Sequence, residues 1–303
     1  EDELLGIDVV IPDISYLLEN REKVKAILLT HAHEDHVGAL PYVLKEINVP
    51  IYGSKLTLGI VEEKLKEHHV EGADFRIVQP RDMVKIEQFG VEFFRVSHSI
   101  PDSMGIAIHT PIGIILHTGD IKLDQTPVDG QVVDFRKLAE LGEKGVLVLL
   151  GDSTNADKPG FTMSERVVGN TFEELFGKCN GRIIVTTFAS NVHRIQQVVS
   201  TAEKYGRKVA IVGRSMVNNV KISLQLGYMT IGDNTLIEME EISKYPPDKI
   251  VIVTTGSQGE PMSALTRMAT ADHRWVGIES GDTVIISATP IPGNEKLVAR
   301  TVD

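Results

Sequence analysis

The sequence predicts an α/β protein in two parts: first interleaved strands and helices, then a doubly wound, Rossmann-like parallel sheet. Three observations support this prediction. The chain has 303 residues, 42% of them apolar, which is enough for two cores. The order of strand and helix patterns changes after residue 160, and a polar, turn-rich segment, NADKPGFTMS (155–164), lies at the change. We therefore predict domains at 1–160 and 161–303.

In the first part, apolar runs of strand length alternate with segments in which apolar residues recur at helical spacing. Strands are predicted at 26–30, 91–97, 105–110, 113–118 and 146–152, and helices at 36–47 and 55–68. Only short segments with Pro and Gly separate the three middle strands, which leaves no room for crossover helices. We therefore predict that these three strands pair antiparallel.

In the second part, a strand, a short polar loop and a helix follow one another repeatedly. Strands are predicted at 182–188, 208–213, 249–256 and 283–288, with helices that begin near 190, 215 and 261. This alternation is typical of a parallel sheet covered by helices on both faces.

The net charge of −11 comes entirely from the first part. Residues 161–303 hold 15 basic and 15 acidic side chains, whereas residues 1–160 hold 16 basic and 27 acidic ones. Nucleic-acid-binding proteins usually have a basic surface, so this balance argues against a broad surface that follows phosphates. It is compatible with a local site at which metal ions supply the positive charge.

The cysteine content and hydropathy indicate where the protein works. The single cysteine, Cys179, excludes an intrachain disulfide and a thiolate metal cluster. No apolar run is long enough to span a bilayer, and the N-terminus has no basic and apolar leader. We expect a soluble protein of the reducing cytoplasm, without a membrane partner. The chain starts without Met and reaches an apolar strand at once, so we expect it to be a piece of a longer protein.

Titratable side chains crowd into HAHEDH (31–36), directly after an apolar strand. His31 and His33 are two residues apart, so their side chains share a face in extended backbone. Asp35 and His36 follow where the next helix begins. Neutral imidazole and carboxylate suit Zn²⁺ or Mn²⁺. A solvated polar loop explains any one histidine, but four such side chains at this spacing favour two adjacent ions: two Zn²⁺, or Mn²⁺ or Mg²⁺ in their place.

Two further candidates follow later strands. His98 directly follows the strand predicted at 91–97, and Asp120 follows the strand predicted at 113–118. Each is weak alone, but together they complete a two-metal scheme, because one carboxylate can offer an oxygen to each ion. We predict that one metal takes His31, His33 and His98, that the other takes Asp35 and His36, and that Asp120 bridges them.

The three predicted helices of the second part begin with polar residues. A helix start suits an anion such as phosphate, because its N–H groups are free and the helix dipole is positive there. Pro261 is predicted at the first position of the third helix. Ordinary capping explains any one of these starts, and the coincidence of three favours phosphate binding. The candidate substrate-binding residues are Ser190, Asn191, His193, Arg194, Arg214, Ser215, Ser257 and Gln258.

The motifs THAHEDH (30–36), SH (97–98) and HTGD (117–120) resemble the metallo-β-lactamase superfamily, which implies an αββα sandwich and metal-dependent hydrolysis. The segments DSTNADKPGFTMSE, TFASNVHRIQQV, GRSM and TGSQGEPMSAL resemble the β-CASP group, and within it the ribonuclease J family. The resemblance implies that the superfamily's supporting Asp precedes residue 1 and that its last metal-binding His follows residue 303.

The resemblance implies a zinc-dependent ribonuclease that cleaves RNA both as a 5′→3′ exonuclease and as an endonuclease, in RNA maturation and decay. Asp35, Asp120 and Asp152 are the catalytic candidates, and Asp152 matches the acidic motif of the β-CASP group. A homodimer or homotetramer and partners in RNA degradation are implied as well. Two alternatives remain open: a non-catalytic RNA-binding β-CASP scaffold, and a hydrolase of small esters or thioesters on the same fold.

Overall fold

The computed structural model describes residue 7 and residues 9–303. It divides into two compact units, one that ends at Glu165 and one that begins at Arg166. The domain limits of 1–160 and 161–303 stay a prediction. Within residues 9–303, none of the helices has the length and apolar character that crossing a bilayer requires.

The first unit contains a parallel three-stranded sheet with helices on its outer face. The strands are β1 (Ile27–Leu28), β2 (Ile51–Gly53) and β3 (Phe75–Ile77), in the order β1-β2-β3. The helices of this part of the chain are α1 (Ser15–Glu19), which buries no side chain, and α2 (Glu34–Val37), α3 (Leu40–Glu46) and α4 (Lys55–Glu67), which pack on the sheet. Leu44 of α3 and Leu58 and Leu65 of α4 are buried in one cluster with Ile51 of β2.

The second sheet of this unit has five strands in chain order: β4 (Met83–Ile86), β5 (Phe89–Arg95), β6 (Met104–Thr110), β7 (Gly113–His117) and β8 (Val146–Leu150). Strands β4 to β7 pair antiparallel, as predicted for the middle three, and β8 runs parallel to β7. Tyr52 of β2 packs with Phe93 and Met104 between the sheets, and Leu141 of α5 (Phe135–Lys144) packs with Phe94 on the outer face. The layers are therefore helix, sheet, sheet, helix.

The second unit is built on a parallel sheet of β9 (Ile183–Thr186), β10 (Lys208–Val212), β11 (Ile250–Thr254) and β12 (Thr283–Ile286), in the order β10-β11-β9-β12. The helices are α6 (Glu165–Lys178), α7 (Val192–Lys204), α8 (Arg214–Gln225), α9 (Ala264–Ala269) and α10 (Glu295–Val302), with 3-10 turns at Met239–Lys244 and Pro247–Lys249. Because all four strands run the same way, the loops after them meet at one edge.

Two predicted helices differ from the structure. The helix predicted at 36–47 is two helices, since α2 ends at Val37 and α3 begins at Leu40 with Pro41 in its first turn. A proline suits the first turn of a new helix, where no N–H is required. The helix predicted from Pro261 begins instead at Ala264, because Ser263 caps it by accepting a hydrogen bond from Thr266 N.

Candidate metal centre

Six side chains converge beside the first unit's sheets, and they are the six predicted as metal ligands. They form two groups, within each of which the ligand atoms lie within 4.8 Å of one another. The groups share one carboxylate. They are His31, His33, His98 and Asp120, and Asp35, His36 and Asp120.

The loop between β1 and α2 supplies four of these side chains. His31 is buried, with 1% of its surface exposed, and His33 is extended (φ −70°, ψ 152°) as the residue that precedes α2. The first helical turn then carries Asp35 and His36. The strand-to-helix change therefore turns both pairs toward one point, which explains why so short a segment serves two groups of ligands.

A tight turn after β7 positions Asp120. Gly119 has φ 62°, in the left-handed region, and its N–H donates to Nδ1 of His117. A β-carbon added to Gly119 would lie 3.0 Å from Cβ of Thr30 and 3.2 Å from the carbonyl oxygen of Met104. The turn therefore needs glycine both for its conformation and for the space. His117 holds this turn and belongs to neither group of ligand atoms.

Asp120 turns one carboxylate oxygen toward each group. Its Oδ2 lies 3.7 Å from Nε2 of His31 and 3.6 Å from Nε2 of His98. Its Oδ1 lies 3.3 Å from Nε2 of His36, which is itself 3.5 Å from Oδ2 of Asp35. This arrangement is what the bridging role predicted for Asp120 requires.

The histidines of the two groups differ in their tendency to take up a proton. Burial, reinforced by neighbouring histidines, lowers the pKa of His31 to about 2 and that of His33 to about 3, and burial lowers the pKa of His98 as well. The hydrogen bond to Asp120 raises the pKa of His36 and, from the other side, holds the pKa of Asp120 below its usual value. The buried imidazoles are therefore neutral, as metal binding requires, and the carboxylate is ionised.

The side chains fit a divalent metal ion. Among the described residues, Nε2 of His31 is buried without a hydrogen-bond partner, although it faces the other ligands. A buried polar atom without a partner is costly, and a bound ion would remove that cost. Imidazole nitrogen combined with carboxylate oxygen suits zinc and related divalent ions better than calcium.

Asp152 lies beside this centre in a structural role that the sequence did not suggest. Its Oδ2 accepts a hydrogen bond from Ile121 N and its Oδ1 from Thr154 N. Its charge acts on both His36 and His98. Asp152 therefore anchors the backbone directly after Asp120 while its own side chain stays exposed.

The predicted substrate-binding residues lie in the loops at the carboxyl edge of the second unit's sheet or in the helix turns that follow. Two of them hold these loops by hydrogen bonds, and a third is buried. Asn191 caps α7 by accepting from Arg194 N. Gln258 is buried, accepts from Ile291 N and donates to the carbonyl of Thr289, and Ser257 is buried beside it. The structure therefore does not support free substrate-binding side chains at Asn191, Ser257 and Gln258.

The other five predicted residues divide by exposure. His193 is buried in α7, and the Arg194 guanidinium donates to the hydroxyl and carbonyl of Ser287. Arg214 and Ser215 are exposed in the first turn of α8, and Ser190 is half-buried before α7. The third of these helices does not begin at Pro261 as predicted, because α9 begins at Ala264 and has six residues.

Sequence reasoning missed the side chains that surround the ligands. Thr30 contacts His31, and Ser99 contacts His33. Lys64 of α4 lies 2.7 and 2.8 Å from the two carboxylate oxygens of Glu34, which is exposed. Thr30 adjoins His31 in the sequence and could have been noticed there. The Ser99 contact spans 66 residues and the ion pair spans 30, so neither has a local signal.

Two family models match the chain over separate stretches. The metallo-β-lactamase superfamily model matches residues 3–152, and the ribonuclease J β-CASP domain model matches residues 180–303.

Curated relatives carry the same family name. Ribonuclease J of Thermus thermophilus is 48% identical over all of this chain and 54% of its own length. Ribonuclease J of Synechocystis is 48% identical over all of the chain and 48% of its own length, and ribonuclease J2 of Bacillus subtilis is 46% identical over all of the chain and 55% of its own length. The chain thus spans about half the length of the curated relatives it matches.

The fold also has a counterpart among solved structures. A protein of unknown function from Enterococcus faecalis V583 matches 93% of this chain and 81% of its own chain, with a TM-score of 0.61 at 17% identity. That likeness concerns the fold alone. The two family models and the curated relatives lead to one assignment: the chain belongs to the ribonuclease J family, in the β-CASP group of the metallo-β-lactamase superfamily.

Proposed function

We propose that the protein is a metal-dependent ribonuclease that hydrolyses RNA phosphodiester bonds, both 5′→3′ from an end and internally. One observation carries this proposal: five histidine and aspartate side chains converge on Asp120 in a chain of this family. The names of the relatives and the match to the ribonuclease J β-CASP domain favour RNA over lactams and thioesters as substrate.

The metal content we propose is two divalent ions, zinc first, with manganese or magnesium as alternatives. One ion would be held by His31, His33, His98 and Asp120, and the other by Asp35, His36 and Asp120. When bound, such ions activate water at neutral pH and offset the negative charge that grows on the phosphoryl oxygens.

The chain's own residues would then orient the reaction. We propose that ionised Asp120 fixes both groups of ligands relative to each other, since one carboxylate oxygen faces each. Asp152 would orient or help protonate the leaving oxygen, because its carboxylate is exposed and its charge reaches His36. RNA contacts are proposed for Ser190, Arg214 and Ser215, which keep exposed surface at the edge of the second sheet.

The test is a 5′-labelled RNA incubated with the full-length protein, with and without a chelator, beside a chromogenic lactam and a thioester. Cleavage of RNA that EDTA abolishes and zinc restores would support the proposal. Turnover of the lactam or thioester without RNA cleavage would favour the small-ester hydrolase. RNA binding without cleavage under each of the three metals would favour the scaffold. The homodimer or homotetramer, the RNA-degradation partners and the cytoplasmic location stay predictions.

A further inference from the structure

In two histidines of the metal centre, one ring nitrogen contacts a hydroxyl group and the other faces the remaining ligands. Nδ1 of His31 lies 3.0 Å from Oγ1 of Thr30, and its Nε2 lies 3.7 Å from Oδ2 of Asp120. In His33 the order is reversed, because Nε2 lies 3.1 Å from Oγ of Ser99 and Nδ1 faces His98 at 3.0 Å. The two imidazoles therefore present different nitrogens to the same point.

A neutral imidazole has one N–H and one lone pair, and only the nitrogen with the lone pair can bind a metal ion. The partner of the second nitrogen decides which tautomer is present. A hydroxyl oxygen can accept the ring N–H at that second nitrogen. An imidazole that binds a metal ion must be neutral, so the tautomer is the property left to be set.

We propose that Thr30 and Ser99 are positioning residues that fix these tautomers. The Nδ1–H of His31 donates to Thr30, which leaves Nε2 as the ligand atom. The Nε2–H of His33 donates to Ser99, which leaves Nδ1 as the ligand atom. The inference rests on the proposed metal site. It adds which hydroxyl group keeps the metal-binding nitrogen of each histidine unprotonated.

Both hydroxyls stand on anchored backbone. The carbonyl of Thr30 accepts from Met104 N at 2.9 Å, and the Thr30 side chain packs against Gly119. Ser99 precedes Ile100, which is 2% exposed in the core. Each hydroxyl is therefore carried by backbone that adjoins a sheet or the core, which places it beside its imidazole.

The first measurement is zinc affinity, by competition with a chromophoric chelator in the full chain. Thr30→Val and Ser99→Ala are each expected to weaken zinc binding about 10–100-fold. Thr30→Ser and Ser99→Thr keep a hydroxyl and are expected to recover most of the affinity. Ser97→Ala removes a hydroxyl on the other side of His98 and is expected to leave the affinity unchanged. Unchanged affinity in both Thr30→Val and Ser99→Ala, with unfolding midpoints like wild type, would overturn the proposal.

The second measurement reads the tautomers directly, from long-range ¹H–¹⁵N spectra of the imidazoles in metal-free and zinc-loaded protein. The expected result is protonated Nδ1 in His31 and protonated Nε2 in His33 in both states, with Thr30→Val changing only the former. The opposite protonation in wild type would refute the roles of both hydroxyls. A protein that binds no zinc would defeat the proposed function, while its metal-free spectrum would still decide the tautomers.

Discussion

At the scale of single residues, substitution of Asp120 should affect the metal centre most. It is the one side chain shared by both groups of ligands found among the described residues, and each of its oxygens faces a different group. Without Asp120, no carboxylate lies between Nε2 of His31 and Nε2 of His36, and each group of ligands loses an oxygen atom.

We therefore expect Asp120→Ala to lose bound metal and nuclease activity together. Metal content by mass spectrometry and cleavage of labelled RNA measure the two effects on the same sample. Asp157→Asn, in an exposed loop, is the control and should keep both. Full activity in Asp120→Ala would rule out the bridging role.

Gln258 and Arg214 separate structural from substrate-binding roles at the edge of the second sheet. Gln258→Ala leaves the N–H of Ile291 without its acceptor, so we expect a loss of about 1–3 kcal/mol in the free energy of unfolding. Arg214→Ala removes an exposed side chain, so stability should change by less than about 0.5 kcal/mol while RNA affinity falls. Urea titrations and RNA binding assays measure both. Weaker RNA binding by Gln258→Ala at unchanged stability would restore its predicted substrate role.

At the scale of elements, a buried ion pair joins α5 to the five-stranded sheet. Lys137 of α5 lies 2.7 Å from a carboxylate oxygen of Glu92 on β5, and both residues are buried. His109 on β6 lies 3.1 Å from the other oxygen. Burial alone would raise the pKa of Glu92, but the hydrogen bonds from Lys137 and His109 hold it below its ordinary value.

Because the pKa of Glu92 is lower in the folded than in the unfolded state, the ionised form stabilises the fold above the ordinary pKa of 4.5. That contribution disappears as the pH falls through the folded-state value. Glu92→Gln should therefore cost about 2 kcal/mol at pH 7, since Lys137 keeps Glu140 as a partner. The difference from wild type should shrink below pH 4.5.

Unfolding free energies at several pH values measure this effect. Glu143→Gln, an exposed position on the same helix, is the matched control and should behave like wild type. If the free energies of unfolding of wild type and Glu92→Gln differ by the same amount from pH 7 to pH 3, Glu92 stabilises the fold through its shape and not through its ionisation.

The elements also show how far the sequence leads. Apolar strands such as β5 and β11 were predicted because periodicity and composition agree, and the ligands followed from their places at strand ends. The short strands β2, β3 and β4 were missed, since three or four residues carry too little pattern and β3 is largely exposed. The start of α9 was misjudged because Pro261 and Ser263 both suit a helix start, and only the cap at Ser263 decides.

At the scale of the whole molecule, metal binding and folding should be linked. The ligands come from three segments far apart in the chain, and the unfolded chain does not hold them together. Free metal at 100 times its dissociation constant would add about 2.7 kcal/mol to the free energy of unfolding.

Chelation should therefore lower the melting temperature, and zinc should restore it. Hydrogen exchange locates the effect: protection should be lost mainly around residues 30–36, 97–104 and 118–122, which bear the ligands. Asp120→Ala should show the low melting temperature with or without zinc. Equal protection with and without zinc in wild type would mean that the site is formed independently of metal.

The turn at Gly119 has a consequence for genetics. In a saturation library selected for function, this position should tolerate almost nothing, because any side chain would meet Thr30 and the Met104 carbonyl and would force an unfavourable backbone conformation. A fitness map would then show Gly119, which has no functional group, to be as intolerant of substitution as the metal ligands. Intolerance at Gly119 would report the fit of a turn, and chemical roles should be read from the neighbours whose functional groups reach the centre.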